Sequence, residues 1–281
     1  MTRIDAHQHF WQHDPVRDTW ITDDMSVLRR DFLPAELEPQ VRESRIEGTI
    51  VVQADQSERE TEFLLGLAER HPFIRGVVGW VDLRADDLPE RLAHFSTFER
   101  FRGVRHVAQA EPDDFLARDD VVRGIRRLRE FDLTYDILVY EHQFASTHTL
   151  VERLPDQPFV VDHLAKPRIR EGRMEPWATH MRRLAEHPNV CCKVSGLVTE
   201  ADWRRWRPEE LWPYLDVVFE AFGTDRLMFG SDWPVCLLAA SYPQVVELIR
   251  TYTGQLSPND QERLFGGTAT EFYGLTSIVA G

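Results

Sequence analysis

Eight short apolar runs, rich in β-branched and aromatic residues, recur along the chain: Ile4–His9, Thr49–Gln53, Gly76–Val81, Gly103–Val107, Thr134–Val139, Phe159–His163, Val190–Val194 and Leu227–Ser231. Runs of this length and composition are strand signals. Most follow one another at intervals of about 25 to 37 residues, and each interval has room for a helix. Two of those helices show an apolar face, residues 62–69 through Phe63, Leu64 and Leu67, and residues 211–222 through Leu215, Val218 and Phe219. Ser257-Pro258 with Asp260 three positions after the serine marks a helix start. Eight strands alternating with helices predict a (β/α)8 TIM barrel as a single domain over residues 1–281, with its active site at the carboxyl ends of the strands. An open doubly wound sheet is the alternative; no glycine-rich phosphate loop follows any strand, which argues against a nucleotide-binding version of it. The first interval, about 44 residues, contains Trp20, Pro34 and Pro39 and is expected to form an extended loop or lid.

The chain has 281 residues and is 42% apolar, enough for a full core. Its 33 basic and 47 acidic residues leave a net charge of −14, which disfavours nucleic acid as a partner. Only Lys166 and Lys193 are lysines. Three cysteines, 191, 192 and 236, show no metal-ribbon spacing and no disulfide framework, which fits a reducing cytoplasm. Cys191 and Cys192 are expected to face opposite sides of one strand and to serve packing. No run approaches the ~20 apolar residues of a membrane span. Oligomeric state is not legible.

Polar residues collect where a barrel carries its chemistry. His7 and His9 end the first strand, Arg105 and His106 the fourth, Tyr140 and His142 follow the fifth, Asp162 and His163 end the sixth, Ser195 the seventh and Asp232 the eighth. Two histidines two apart on a strand project to one side and can grip one ion or one substrate atom. In a regular strand Asp162 points away from His163 and His106 away from Arg105, so Asp162 and His106 are expected outside the site.

Asp-Ala-His-Gln-His-Phe-Trp at 5–11, Gly-Val-Arg-His at 103–106, Val-Val-Asp-His-Leu-Ala-Lys-Pro at 160–167, Lys-Val-Ser-Gly-Leu at 193–197 and Leu-Met-Phe-Gly-Ser-Asp-Trp-Pro-Val at 227–235 resemble the amidohydrolase superfamily. The resemblance is strongest to its sugar-lactonase branch, and the segment 267–275 is similar to the family's end. It implies a hydrolase that opens the ester ring of a small sugar-acid lactone, of the L-fucono- or L-rhamnono-lactone type. Asp232 is implied to activate water, while His163 and Arg105 face the carbonyl. His7, His9, Asp232 and His163 are implied to hold one divalent metal, zinc or manganese, or to serve a site whose catalysis does not need it. No lysine lies on the fourth or fifth strand to bridge two metals. Trp11, Trp80, Trp233, Tyr140, His142 and Lys166 are expected to line the substrate pocket, with a core position the alternative for each tryptophan. A metal-dependent decarboxylase of an aromatic acid and a non-catalytic ligand-binding barrel are the competing readings.

Overall fold

The structure is a computed structural model that describes residues 2–275; the expected domain bounds Met1 and Gly281 lie outside the described residues. Eight strands form one parallel sheet in sequence order: β1 (Ile4–Gln8), β2 (Gly48–Val52), β3 (Ile74–Gly79), β4 (Phe101–His106), β5 (Thr134–Ile137), β6 (Phe159–Val161), β7 (Val190–Val194) and β8 (Leu227–Phe229). Helices fill the intervals, as right-handed crossovers between parallel strands require. The helix Glu58–Arg70 illustrates how sequence sets one of them. Ser57 caps it by accepting from the Glu60 N–H, and Leu64, Leu65, Leu67 and Ala68 form its buried face. Each such leucine contributes about 1.5–3 kcal/mol by leaving water. At Ser257 the expected cap also forms, accepting from the Asp260 N–H.

Past the end of β8 the chain turns across to β1 and closes the barrel. Asp232 N donates to His7 O at 2.8 Å and His9 N to Trp233 O at 2.7 Å. Two distant motifs are thereby sewn side by side. The β1–β2 register shifts between Asp5 and Gln8, a bulge of the kind that re-aims side chains, and His7 and His9 point into the barrel. Several strands stop short of their expected carboxyl ends, β6 at Val161 and β8 at Phe229, because the backbone leaves the ladder where it carries polar residues inward.

Inside the barrel, Ile4, Ala6, Ile50, Val52, Val78, Val160 and Met228 form an apolar plug, joined by Ala269 of the last described helix and by Tyr273 and Leu275 just after it. A larger apolar shell lies between sheet and helices. The long first interval is an ordered loop pinned by the Trp11–Phe32 bridge, followed by the helix Pro34–Glu43.

Candidate active site

Three imidazoles converge on one carboxylate oxygen. His9, His163 and His7 place Nε2 at 3.4, 3.9 and 4.0 Å from Asp232 Oδ1. All four residues are at least 95% buried. His163 and Asp232 both sit in left-handed backbone, at φ 53° and 58°. Left-handed conformation costs a non-glycine residue about 1–2 kcal/mol, and such strain concentrates where geometry serves function. His163 in fact opens a run of four left-handed residues, His163 to Lys166.

That run corrects the expected phase of β6. Val160 faces the barrel interior, so Asp162, two residues on, faces it too. The strand ends at Val161, and the left-handed turn at His163 brings its ring inward as well. Asp162 is therefore an interior residue, contrary to the sequence expectation. Two glycines leave space for these rings: a Cβ on Gly196, at φ 70°, would lie 2.8 Å from His163 Cβ, and one on Gly230 would lie 2.7 Å from His7 Cβ.

Hydrogen bonds fix the rings from behind. His9 Nδ1 lies 2.7 Å from Val52 O, and since a carbonyl only accepts, Nδ1 carries the proton and Nε2 a lone pair. His163 Nδ1 meets Ser195 Oγ at 2.9 Å. Burial lowers the His163 pKa to about 4, so the ring is neutral near pH 7. Burial alone would raise the Asp232 carboxyl, but the interactions with His163, which becomes charged only in acid, and with His9 and Lys166 together hold it below its ordinary value. Asp232 is a carboxylate at neutral pH.

Beneath this group lies a second polar layer that the sequence reading did not assemble. Lys193, fully buried, contacts Asp136 Oδ2 at 2.5 Å, Asp162 Oδ1 at 3.1 Å and His7 Nδ1 at 3.1 Å. Tyr273 donates to Asp136 Oδ2 at 3.0 Å. Burial would raise the Asp162 carboxyl, yet Lys193, His7 and Arg105 hold it well below its usual range. The available signal was an opposite charge in each of two apolar strand runs, Asp136 and Lys193.

Arg105 belongs partly to this layer. Its Nη1 donates to Asp162 Oδ2 at 3.0 Å, its Nη2 to Gln53 O, and Nη1 lies 3.4 Å from His7 Nε2. The guanidinium is engaged with protein partners beneath the imidazoles. His106, as expected, faces outward, stacked on Phe115 and bonded to Glu111 at 2.9 Å.

The aromatic expectations divide. Trp233 is fully buried between Phe10 and Phe32 and lines no pocket; the turn that aims Asp232 inward sends the next side chain into the shell. Trp11 is 3% exposed, its indole N–H donating to Arg30 O, and it serves to pin the first loop. Trp80 is half-buried, its N–H directed to His106 Nδ1 at 3.2 Å. Tyr140 is exposed, with His142 stacked on it and Lys166 Nζ 5.3 Å from its ring centre. Lys166 also pairs with Glu200 at 3.7 Å. His142, half-exposed, lies 3.6 Å from Asp113.

The donor set fits one divalent cation. His9 Nε2 and Asp232 Oδ1 are both acceptors and face each other at 3.4 Å, an arrangement that a cation between them resolves. His7, His9 and Asp232 offer three ligand atoms within 4.8 Å of one another; His7, Asp162 and His163 form a second such group, but Asp162 is already engaged by Arg105 and Lys193.

Comparison with known proteins agrees with this fold. The amidohydrolase family model matches residues 4–275. An L-fucono-1,5-lactonase of Burkholderia multivorans is 43% identical over 97% of this chain and 96% of its own length. One from Burkholderia ambifaria is 39% identical over 96% and 95%. A crystal structure of a Burkholderia multivorans amidohydrolase with bound zinc superposes with a TM-score of 0.95 at 43% identity, covering 98% of this chain and all of that one.

Proposed function

Because the chain belongs to the amidohydrolase family, we propose that its barrel opens the ester ring of a sugar-acid lactone, of the kind for which its L-fucono-1,5-lactonase relatives are named. The convergence of His7, His9 and His163 on Asp232 Oδ1 carries the reading. Asp232, ionised and buried, accepts the proton of a water placed beside it, and the freed hydroxide equivalent attacks the ring carbonyl. His163, neutral and held through Nδ1 by Ser195, presents Nε2 to the developing oxyanion. Arg105 acts through the field of its guanidinium, 3.4 Å from His7 Nε2, to offset the same charge. When the ring C–O bond breaks, the proton on Asp232 passes to the leaving alkoxide and restores the carboxylate.

His7, His9 and Asp232 would hold a divalent cation, zinc or manganese, which supplies Lewis-acid polarisation of the carbonyl and a more acidic water. In this reading Trp80, Tyr140 and Lys166 would meet the sugar ring. The aromatic-acid decarboxylase reading is less supported, since both relatives at 39–43% identity are named lactonases. Three free thiols support a reducing compartment, and among the described residues no helix is long and apolar enough to cross a membrane. The test is proton release, followed with a pH indicator, on a panel of five- and six-membered aldonolactones; ring opening of at least one is expected, and none across the panel overturns the proposal.

A further inference from the structure

We infer that Lys193 sets how tightly the site holds a divalent cation, by keeping His7 in the tautomer that offers no lone pair to one. The inference rests on reading His7, His9 and Asp232 as the cation site. An ammonium has only donors, and Lys193 Nζ lies 3.1 Å from His7 Nδ1. Nδ1 is therefore the acceptor, and the proton of the neutral ring sits on Nε2. That proton faces His9 Nε2 at 3.2 Å, which carries a lone pair because His9 Nδ1 donates to Val52 O. Donation runs in one direction, from Lys193 through His7 and His9 to Val52.

A cation at His7 Nε2 requires the other tautomer, with the proton on Nδ1 and a carbonyl or carboxylate to receive it. The acceptor is in place. Asp162 Oδ1 lies 3.3 Å from His7 Nδ1, fully buried, with the Lys193 ammonium 3.1 Å away on the same oxygen. In the exchange one proton leaves Nε2 and one arrives at Nδ1, so the ring stays neutral and Lys193 remains an ammonium on Asp136. Lys193 and Asp162 thus compete for one nitrogen and favour opposite states. Their charges act with the same signs, the cation opposing a second cation nearby and the carboxylate favouring it. Arg105 Nη1, at 3.4 Å from His7 Nε2, supports the Nδ1–H form, but at a longer distance than either contact in the chain from Lys193.

Zinc affinity, measured by competition with a chromophoric chelator, separates this role from a structural one, because the two neighbours should move it in opposite directions. Lys193→Met is expected to bind zinc about tenfold more tightly than the wild type and Asp162→Asn about tenfold more weakly. Equal or weaker binding by Lys193→Met overturns the inference. Nitrogen-15 shifts of the metal-free wild type give a second reading that needs no variant to fold: His7 should be protonated at Nε2, and protonation at Nδ1 overturns the inference. Unchanged zinc binding in His9→Ala overturns the cation-site reading and this inference with it, whereas failure of Lys193→Met alone overturns only the latter.

Discussion

Two polar layers lie one above the other inside the barrel. In the lower, Lys193, Asp136, Asp162 and Arg105 put two cations against two carboxylates, sealed from water. In the upper, His9 and Asp232 face each other with lone pairs, and His163 turns an unengaged Nε2 toward them. Both layers are charged or titratable, both are buried, and both sit on strand ends. What separates them is whether each charge has an opposite charge against it. A matched layer holds the barrel together, and an unmatched one is ready for a ligand.

Removing one member of each layer is the largest way to break the comparison. Asp136→Asn leaves Lys193 without its nearest carboxylate, and breaking a buried pair costs about 3–5 kcal/mol of stability. Asp232→Asn removes an acceptor that faces another acceptor and should shift stability by less than about 1 kcal/mol. Chemical denaturation of both variants decides it. Equal losses would mean that the layers do not differ.

A pH series sharpens the contrast. The folded His163 titrates near 4 because burial disfavours its charge, while the unfolded ring titrates at its ordinary 6.5. The unfolded chain therefore binds the extra proton between those values, and stability contributed by the neutral ring is lost as pH falls from 6.5 toward 4. The loss is about 3 kcal/mol by linkage. In the chelated protein, His163→Gln should flatten that slope; an unchanged slope would show that His163 does not titrate in this way.

The smallest effect concerns aim. Gly196→Ala puts a methyl group against the His163 ring and strains a left-handed residue, at a cost of about 1–2 kcal/mol. It should lower kcat about tenfold, since displacing a catalytic group by about 1 Å can cost still more. Wild-type kcat in a folded variant would show that the ring has room to spare.

The fold was legible in sequence because the strand pattern repeats eight times, so that a boundary error of a residue or two at β3 or β6 did not disturb the architecture. The upper layer was legible for a related reason: His7, His9, His163 and Asp232 stand at strand ends, where alternation and resemblance agree. Phase was the weak point. Taking β6 through His163 placed Asp162 outside, whereas the left-handed turn puts both residues inside. Lys193 was hidden by context, since a lysine within Val-Cys-Cys-Lys-Val becomes a core residue only once Asp136 and Asp162 are known to face it. The tryptophans needed contacts that no local pattern reveals, and Trp233 proved to be packing for the turn that holds Asp232.

The proposed hydrolysis depends above all on Asp232 as the group that takes the proton from water. The direct measurement is kcat of Asp232→Asn, checked to be folded, on whichever aldonolactone the wild type opens. Loss of a general base predicts a fall of about 10²–10⁴-fold; hydrolysis at the wild-type rate would contradict the account.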